Sequence, residues 1–378
     1  MKESPLIYLD YNATTPVAPE AARVLCRYLA EDFGNPGSDY ALGRRAKEAV
    51  ARARGQVAGL LDCRPEEIIF TSGATEANNT VLQGVARHFG RGQIITAATE
   101  HPSVLAPLRF LQSQGFEVTI LPVDGAGRLD PDAVHRALTP RTILVSVMHA
   151  NNETGSLQPV AAIARLAREA GVLCHTDAAQ SVGKIPVSVA ALQVDFLTVA
   201  GHKLYAPKGV GALYVRTRAP FIPLLHGGGQ EGGRRSGTEN VPYLAALGEA
   251  CHLAGARLAQ DQARLQSLRD LLHQLLQAGF PALVLNGPAE ERLPNTLNVS
   301  FPGLSGAVIL AGVPRVAASL GAACHGAEET MSPVLAAMGV PPEVARGSLR
   351  LSVGRPTTRE EVQAAAPLLL ARVRELSQ

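Results

Sequence analysis

Apolar positions along the chain gather into short continuous runs, separated by segments with helical spacing. The runs are "EIIF" (67–70), "QIIT" (93–96), "VTIL" (118–121), "TILVSV" (142–147), "VLCHT" (172–176), "DFLTV" (195–199) and "GVGALYV" (209–215). They are apolar on both faces, as strands covered by helices on both sides should be. Helical spacing predicts helices near 75–89, 103–113, 130–137 and 158–170. This alternation predicts an α/β domain built on a mostly parallel sheet. A Gly-rich loop, "HGGGQEGGRRSGTEN" (226–240), leads into a long helical stretch over 241–278. Beyond it, strand-like segments ("NTLNVSF", "SLRLSV") mix with helices and predict a smaller α+β domain. The long helix bridges the two parts. We place the large domain at 16–258 and the small domain at 1–15 with 259–378.

Composition narrows the possibilities. Over 378 residues the hydrophobic share is 46%, the charged share 18% and the net charge +2. These are globular values, and they give no support to nucleic-acid or membrane-surface binding. The opening "MKESPLIYLDYNATT" has no apolar signal core, and no run reaches the length of a membrane span. The protein is expected to be cytoplasmic. Cys26, Cys63, Cys174, Cys251 and Cys324 are odd in number and scattered. That argues against a disulfide framework and against a zinc site.

Several positions carry candidate chemistry. Lys203 follows a strand in "TVAGHKLYAPKG" and is one of five lysines, with Lys2, Lys47, Lys184 and Lys208. At a strand end in a Gly turn, a desolvated amine becomes nucleophilic. A solvated loop lysine is the plain alternative. Asp177, in "CHTDAAQSVGK", ends an apolar strand, the edge at which open α/β sheets bind ligands. It is placed to hold a proton on a heteroaromatic nitrogen or to cap the next helix. Gln180 can reach the same ligand or form a capping box with Asp177.

In "FTSGATEANN", Ala74 and Thr75 open a helix after a Gly turn, where backbone N–H groups cradle phosphate. His101 in "ATEHPSV" can stack on an aromatic ligand and move protons, or be structural. Asn152 in "MHANNETG" offers a neutral donor and acceptor in a turn of common type. "LRLSVGR" offers Arg350 and Arg355; alternation sets Arg350 and Ser352 on one face, away from Leu351. An arginine fork suits a carboxylate, though a solvated strand arginine is equally ordinary. Together the set supplies an aldehyde anchor, a ring-nitrogen partner, a ring stack, a phosphate cradle and a carboxylate clamp, the parts of a pyridoxal phosphate site.

The sequence resembles the class V aminotransferase group, specifically cysteine desulfurases and selenocysteine lyases. The resemblance rests on "YLDYNATTPVAPE" (8–20), "FGNPGS", "FTSGATEANN", "TEH", "NNETG", "HTDAAQSVGK", "GHKLYAPKG", "GALYVR", "HGGGQE", "RSGTEN", "LPNTLNVSF", "GAACH" and "LRLSVGRPTT". These motifs cover nearly the whole chain. The resemblance implies the fold-type-I architecture of pyridoxal-phosphate-dependent transferases, with a mostly parallel seven-stranded sheet plus a smaller α+β domain. It also implies a homodimer and pyridoxal 5'-phosphate held on Lys203.

By motif, Asp177 corresponds to the partner of the ring nitrogen. His101 corresponds to the stacking residue, and Gln180 and Asn152 to residues on the 3-hydroxyl side. Ala74, Thr75 and His202 correspond to phosphate ligands, joined by Thr238 from the other subunit. Arg350 corresponds to the binder of the substrate carboxylate, with Asn152 near it. Cys324 corresponds to the catalytic thiol, which takes sulfur from L-cysteine as a persulfide and leaves L-alanine. Lys203 is the implied base. The sulfur then passes to an acceptor protein, for iron–sulfur assembly or tRNA thiolation. Gly321, Ala322, Ala323 and Gly326 around Cys324 suit a mobile carrier loop. The other four cysteines read as small buried hydrophobes.

Departures bear on the substrate. Ala200 stands where housekeeping desulfurases carry Ser. "GAACHG" stands where they read like "GSACTS", and with "SPVL" and "RLSVGR" it is closer to selenocysteine lyases. His325 beside the thiol is placed to lower its pKa or to be a solvated loop residue. The expected function is cysteine desulfurase. The alternatives are a selenocysteine lyase acting on L-selenocysteine, an aminotransferase that needs no Cys324, and an idle sulfur-trafficking scaffold.

Overall fold

The computed structural model describes residues 5–320 and 331–378. Cys324, His325 and the glycines and alanines beside them lie outside the described residues. The chain opens with β1 (Ile7–Tyr8) and two helices, α1 (Pro19–Ala30) and α2 (Ala41–Leu61). It then alternates through β2 (Ile68–Thr71), α3 (Ala74–Phe89), β3 (Gln93–Ala97), α4 (Pro102–Ser113), β4 (Glu117–Leu121) and α5 (Pro131–Ala137). β5 (Thr142–Ser146), α6 (Val160–Glu169), β6 (Leu173–Asp177), α7 (Val189–Leu192), β7 (Phe196–Ala200) and β8 (Gly211–Val215) complete this part. The long α8 (Val241–Gly279) leads to β9 (Val284–Leu285), β10 (Thr296–Ser300), α9 (Gly306–Ala311) and β11 (Val316–Ala317). α10 (Pro333–Ala337), α11 (Pro342–Ala345), β12 (Ser348–Ser352) and α12 (Arg359–Leu376) close the chain.

Among the described residues, seven strands form one sheet in the order β2-β8-β7-β6-β5-β3-β4. The expected α/β class with a mostly parallel sheet is what the structure has. β8 is the exception, antiparallel to both β2 and β7. Residues 201–210 join β7 to β8, too few for the helical crossover that a parallel neighbour requires. β3, β5 and β7 are buried along their whole length and β6 from its second residue on, matching their continuous apolar runs. β4 lies at the sheet edge and leaves Ile120 half exposed. A second sheet of β12-β10-β9 and a small parallel pair, β1 with β11, stand on a separate core.

α1 and α2 are absent from the sequence reading. α2 buries Gly43, Ala46, Ala49 and Ala53, a stripe of small residues with little hydrophobic contrast. That stripe permits close helix contact. A Cβ on Gly248 of α8 would stand 2.5 Å from the Ala53 Cα. α8 is continuous over 39 residues. Its first half, with Leu244, Leu247 and Cys251, packs in the core of the large sheet. Its second half, with Leu265, Leu268, Leu272 and Leu276, packs in the core of the small one. No helix among the described residues is long and apolar enough to cross a membrane.

The Gly-rich loop is anchored by charge. Arg54 on α2 makes a two-point pair with Glu231, at 2.7 and 2.8 Å, and Glu231 also accepts from the Phe70 N–H. The Arg54 guanidinium lies 4.7 Å over the Phe70 ring. Truncating Arg54 leaves a carboxylate that is only 3% exposed without its cation. Arg54→Met is expected to cost about 3 kcal/mol, measured as a lower urea midpoint at unchanged slope.

Candidate active site

Four parallel strands deliver the candidate residues to one edge of the sheet. His101 comes four residues after β3, Asn152 follows β5, Asp177 is the last residue of β6, and Lys203 lies three residues past β7. α3 begins just after β2 at the same edge. Parallel strands end together, so their C-terminal turns form the crevice where open α/β sheets take ligands.

Gly73 precedes α3 with φ +153°, a conformation L side chains rarely adopt, and an added Cβ there would meet nothing within 4 Å. No side chain caps α3. The first N–H groups of the helix, from Ala74 and Thr75, therefore face the open side, where the helix dipole favours an anion. Thr75 is exposed and lines a cleft of about 590 Å³ together with Asn79, His101, Ser103, Ala106 and Phe110.

His101 caps α4. Its Nδ1 accepts from the Ser103 N–H at 3.1 Å and lies 2.8 Å from Ser103 Oγ. Asn78 Nδ2 donates to Ser103 Oγ at 2.9 Å and to Asp177 Oδ2 at 2.7 Å. This links the imidazole to the carboxylate and leaves the His101 proton on Nε2. Burial lowers the His101 pKa, Asp177 opposes this, and Lys203 adds to it, so the ring is neutral. Asp177 Oδ1 accepts from the Ala179 N–H at 2.9 Å. Asp177 therefore closes a turn, and Gln180 forms no capping box with it. Gln180 Nε2 donates instead to the Asn12 carbonyl at 3.1 Å.

The Lys203 amine is held by the carbonyls of Asn12 and Ala13 at 2.5 and 2.7 Å. It is half-buried, not a solvated loop lysine. His202 places Nδ1 3.2 Å from Thr14 Oγ1. Burial, then Lys203, Lys208 and Lys184, push its pKa down to about 4. Asn152 Oδ1 is buried and has no hydrogen-bond partner, while the Asn152 carbonyl accepts from Asn12 and Arg350. Arg350 is 3% exposed. It pairs with Asp10 at 2.7 Å and donates to the Asn152 carbonyl at 3.2 Å. Arg355 is a separate matter: it pairs with Asp261 at 2.9 Å and stacks on Tyr205.

The backbone of Ser319 exchanges two hydrogen bonds with Arg350. Thr238 is exposed. Its loop is tied to α3 by the Arg235–Glu76 pair at 2.8 Å, and Glu76 also accepts from the Ser72 N–H. Cys174 and Cys251 are buried and burial raises both thiol pKa values, Cys251 to about 12. Cys63 is half-buried and is likewise raised to about 12. Cys26 departs from the expected buried state, because it lies on the outer face of α1.

Four residues of the site escaped the sequence reading: Asn12, Asn78, Ser103 and Lys184. Asn78 carried the clearest signal. It is an asparagine inside a helix, a disfavoured position, flanked by the buried Ala77, Val81 and Leu82.

The residues present fit a phosphorylated aromatic aldehyde. There is an uncapped helix N-terminus, a vacant buried amide oxygen, a carboxylate at a strand end, a flat neutral imidazole, and an amine on a short tether.

Comparison with known proteins gives a family and near relatives. The family described as Aminotransferase class-V matches residues 7–365. A protein of Anaeromyxobacter dehalogenans named cysteine desulfurase IscS is 46% identical over 375 residues, covering 98% of this chain and 93% of its own. One of the same name from Dictyoglomus turgidum is 44% identical over 360 residues, covering 94% and 91%. The solved structure of a NifS-like protein superposes with a TM-score of 0.91 at 36% identity, covering 98% of this chain and 99% of its own.

Proposed function

Because the chain belongs to the class V aminotransferase family and is an enzyme of its cysteine desulfurase group, we propose that it uses pyridoxal phosphate to convert L-cysteine to L-alanine, with the sulfur passing to Cys324. The observation that carries this reading is the meeting of Lys203, Asp177 and His101 at one edge of the large sheet, which Arg350 of β12 reaches at the Asn152 carbonyl. When bound, pyridoxal phosphate withdraws electrons from the substrate Cα and makes its hydrogen acidic.

The chain's own residues do the rest. Ala74, Thr75 and His202 hold the phosphate. Asp177 keeps a proton on the ring nitrogen, and Asn78 and the Ala179 N–H fix its two oxygens. His101 would stack on the ring, its Nδ1 held by Ser103. Gln180 and Asn152 serve the 3-hydroxyl side. Arg350 and Asn152 bind the substrate carboxylate, with Asp10 holding the guanidinium in place. Lys203 anchors the cofactor. Its free amine, beside the Asn12 and Ala13 carbonyls, would take the α-proton.

The Cys324 thiolate attacks the substrate sulfur. A sulfur–sulfur bond forms, the carbon–sulfur bond breaks, Cβ keeps the pair and takes a proton, Lys203 would return a proton to Cα, and alanine leaves. Ser319, ahead of Cys324 in the chain, is hydrogen-bonded to Arg350 on the carboxylate-binding strand. An acceptor protein then takes the sulfur. The enzyme works as a homodimer. A second copy covers the cleft at the half-exposed Phe110 and brings its Thr238 to the phosphate. The large domain, 16–258, binds the cofactor; 1–15 with 259–378 carries Arg350 and Cys324.

The test is alanine release by purified, cofactor-loaded protein, with L-cysteine and a reductant and separately with L-selenocysteine. Turnover of cysteine is expected. Cleavage of selenocysteine with cysteine left intact would replace this reading with a lyase. Alanine from neither would overturn both.

A further inference from the structure

Lys184 is 7% exposed, and the reaction above gives it no part. Its Nζ donates to Gln180 Oε1 at 2.9 Å. A second contact, to Asn12 Oδ1, is longer at 3.4 Å, and that oxygen has Asn295 Nδ2 nearer at 2.9 Å. The other end of the Gln180 amide, Nε2, donates to the Asn12 carbonyl, and the same oxygen accepts from Lys203.

A glutamine amide fits its space either way round, but its two ends differ in chemistry. Here both ends are specified. The carbonyl of Asn12 demands a donor, and the Lys184 N–H demands an acceptor. Burial beside Lys203 and Arg350 lowers the Lys184 pKa well below the usual lysine value. A buried amine in such company is costly, so its presence calls for a role in the site.

We propose that Lys184 is a positioning residue that fixes the Gln180 amide, and through it holds the Asn12 carbonyl on the Lys203 amine. This rests on the pyridoxal phosphate reading. Without Lys184, Gln180 Oε1 is left buried and unpaired, and the amide loses one of its two anchors.

The experiment is a double-mutant cycle on cofactor affinity. Protein stripped of cofactor is titrated with pyridoxal phosphate and followed by its visible absorbance band. The proteins are wild type, Lys184→Met, Gln180→Leu and the double variant. Lys184→Met is expected to bind roughly tenfold more weakly. The double variant is expected to bind no more weakly than Gln180→Leu alone, because Lys184 acts through Gln180. Lys184→Gln keeps a donor for Gln180 Oε1. It is expected to bind within about twofold of wild type, and it carries the test if the methionine variant does not fold. Unchanged affinity in Lys184→Met, additive losses in the double variant, or a tenfold loss in Lys184→Gln would each overturn the proposal. Absence of a visible band in wild type would instead overturn the cofactor reading.

Discussion

Lys203→Ala is expected to lower alanine formation by at least about 10⁴-fold, since one residue serves as both cofactor anchor and base, and the base alone contributes up to that much. The lysine content makes the test clean. Only five lysines exist, and Lys184 and Lys203 are the two whose amines meet at Asn12. Borohydride reduction of the loaded protein should fix the cofactor's mass on the peptide containing Lys203, and the variant should give no such peptide. Label on the Lys184 peptide in wild type would reverse the assignment. The geometry favours Lys203 because it sits three residues past β7 at the strand-end crevice, with its amine on the Asn12 and Ala13 carbonyls. Lys184 is enclosed by two amides.

Cys324→Ala is expected to reduce alanine release from L-cysteine by at least roughly 10³-fold, as loss of an attacking nucleophile does. The visible band of the bound cofactor should be unchanged, because Lys203, Asp177 and His101 are untouched. Loss of activity together with loss of the band would mean a damaged site. Retained activity with cysteine would remove the persulfide step. Alkylation should discriminate the thiols in the same way. Burial holds Cys174, Cys251 and Cys63 as thiols at neutral pH, so only the exposed Cys26 should compete with Cys324 for the reagent.

The sequence was most legible where burial on both faces forces a continuous apolar run. β3, β5, β6 and β7 were found within a residue or two for that reason. Direction was not legible. β8 reads like its neighbours, and its reversal depends on how little chain precedes it. α2 was missed because its buried face is mostly alanine and glycine, with Val50, Val57 and Leu61 the larger exceptions, and small residues contrast weakly with polar positions. In the site, residues at or just past strand ends could be picked out by local pattern: Asp177, Lys203 and His101. Those defined by distant partners could not. Asn78 reaches a residue 99 positions away, and Lys184 reaches one 172 positions away. Nothing near them in the chain announces the contact.

The placement of Asn12 bears on how the enzyme is made. Its N–H donates to Ser352 Oγ, 340 residues downstream, and the neighbouring Asp10 pairs in parallel with Ser352. On a ribosome adding 5–20 residues per second, the first half of this contact waits roughly 17–70 s for the second. Until β12 emerges, Asn12 lacks its Ser352 partner, although the sheet that bears Lys203 and the Gln180 amide that reaches the Asn12 carbonyl are already made. The nascent chain can therefore fold its large sheet during synthesis before its site is whole. A chain broken off before β12 has the sheet and its lysine but no Arg350 beside Asn152.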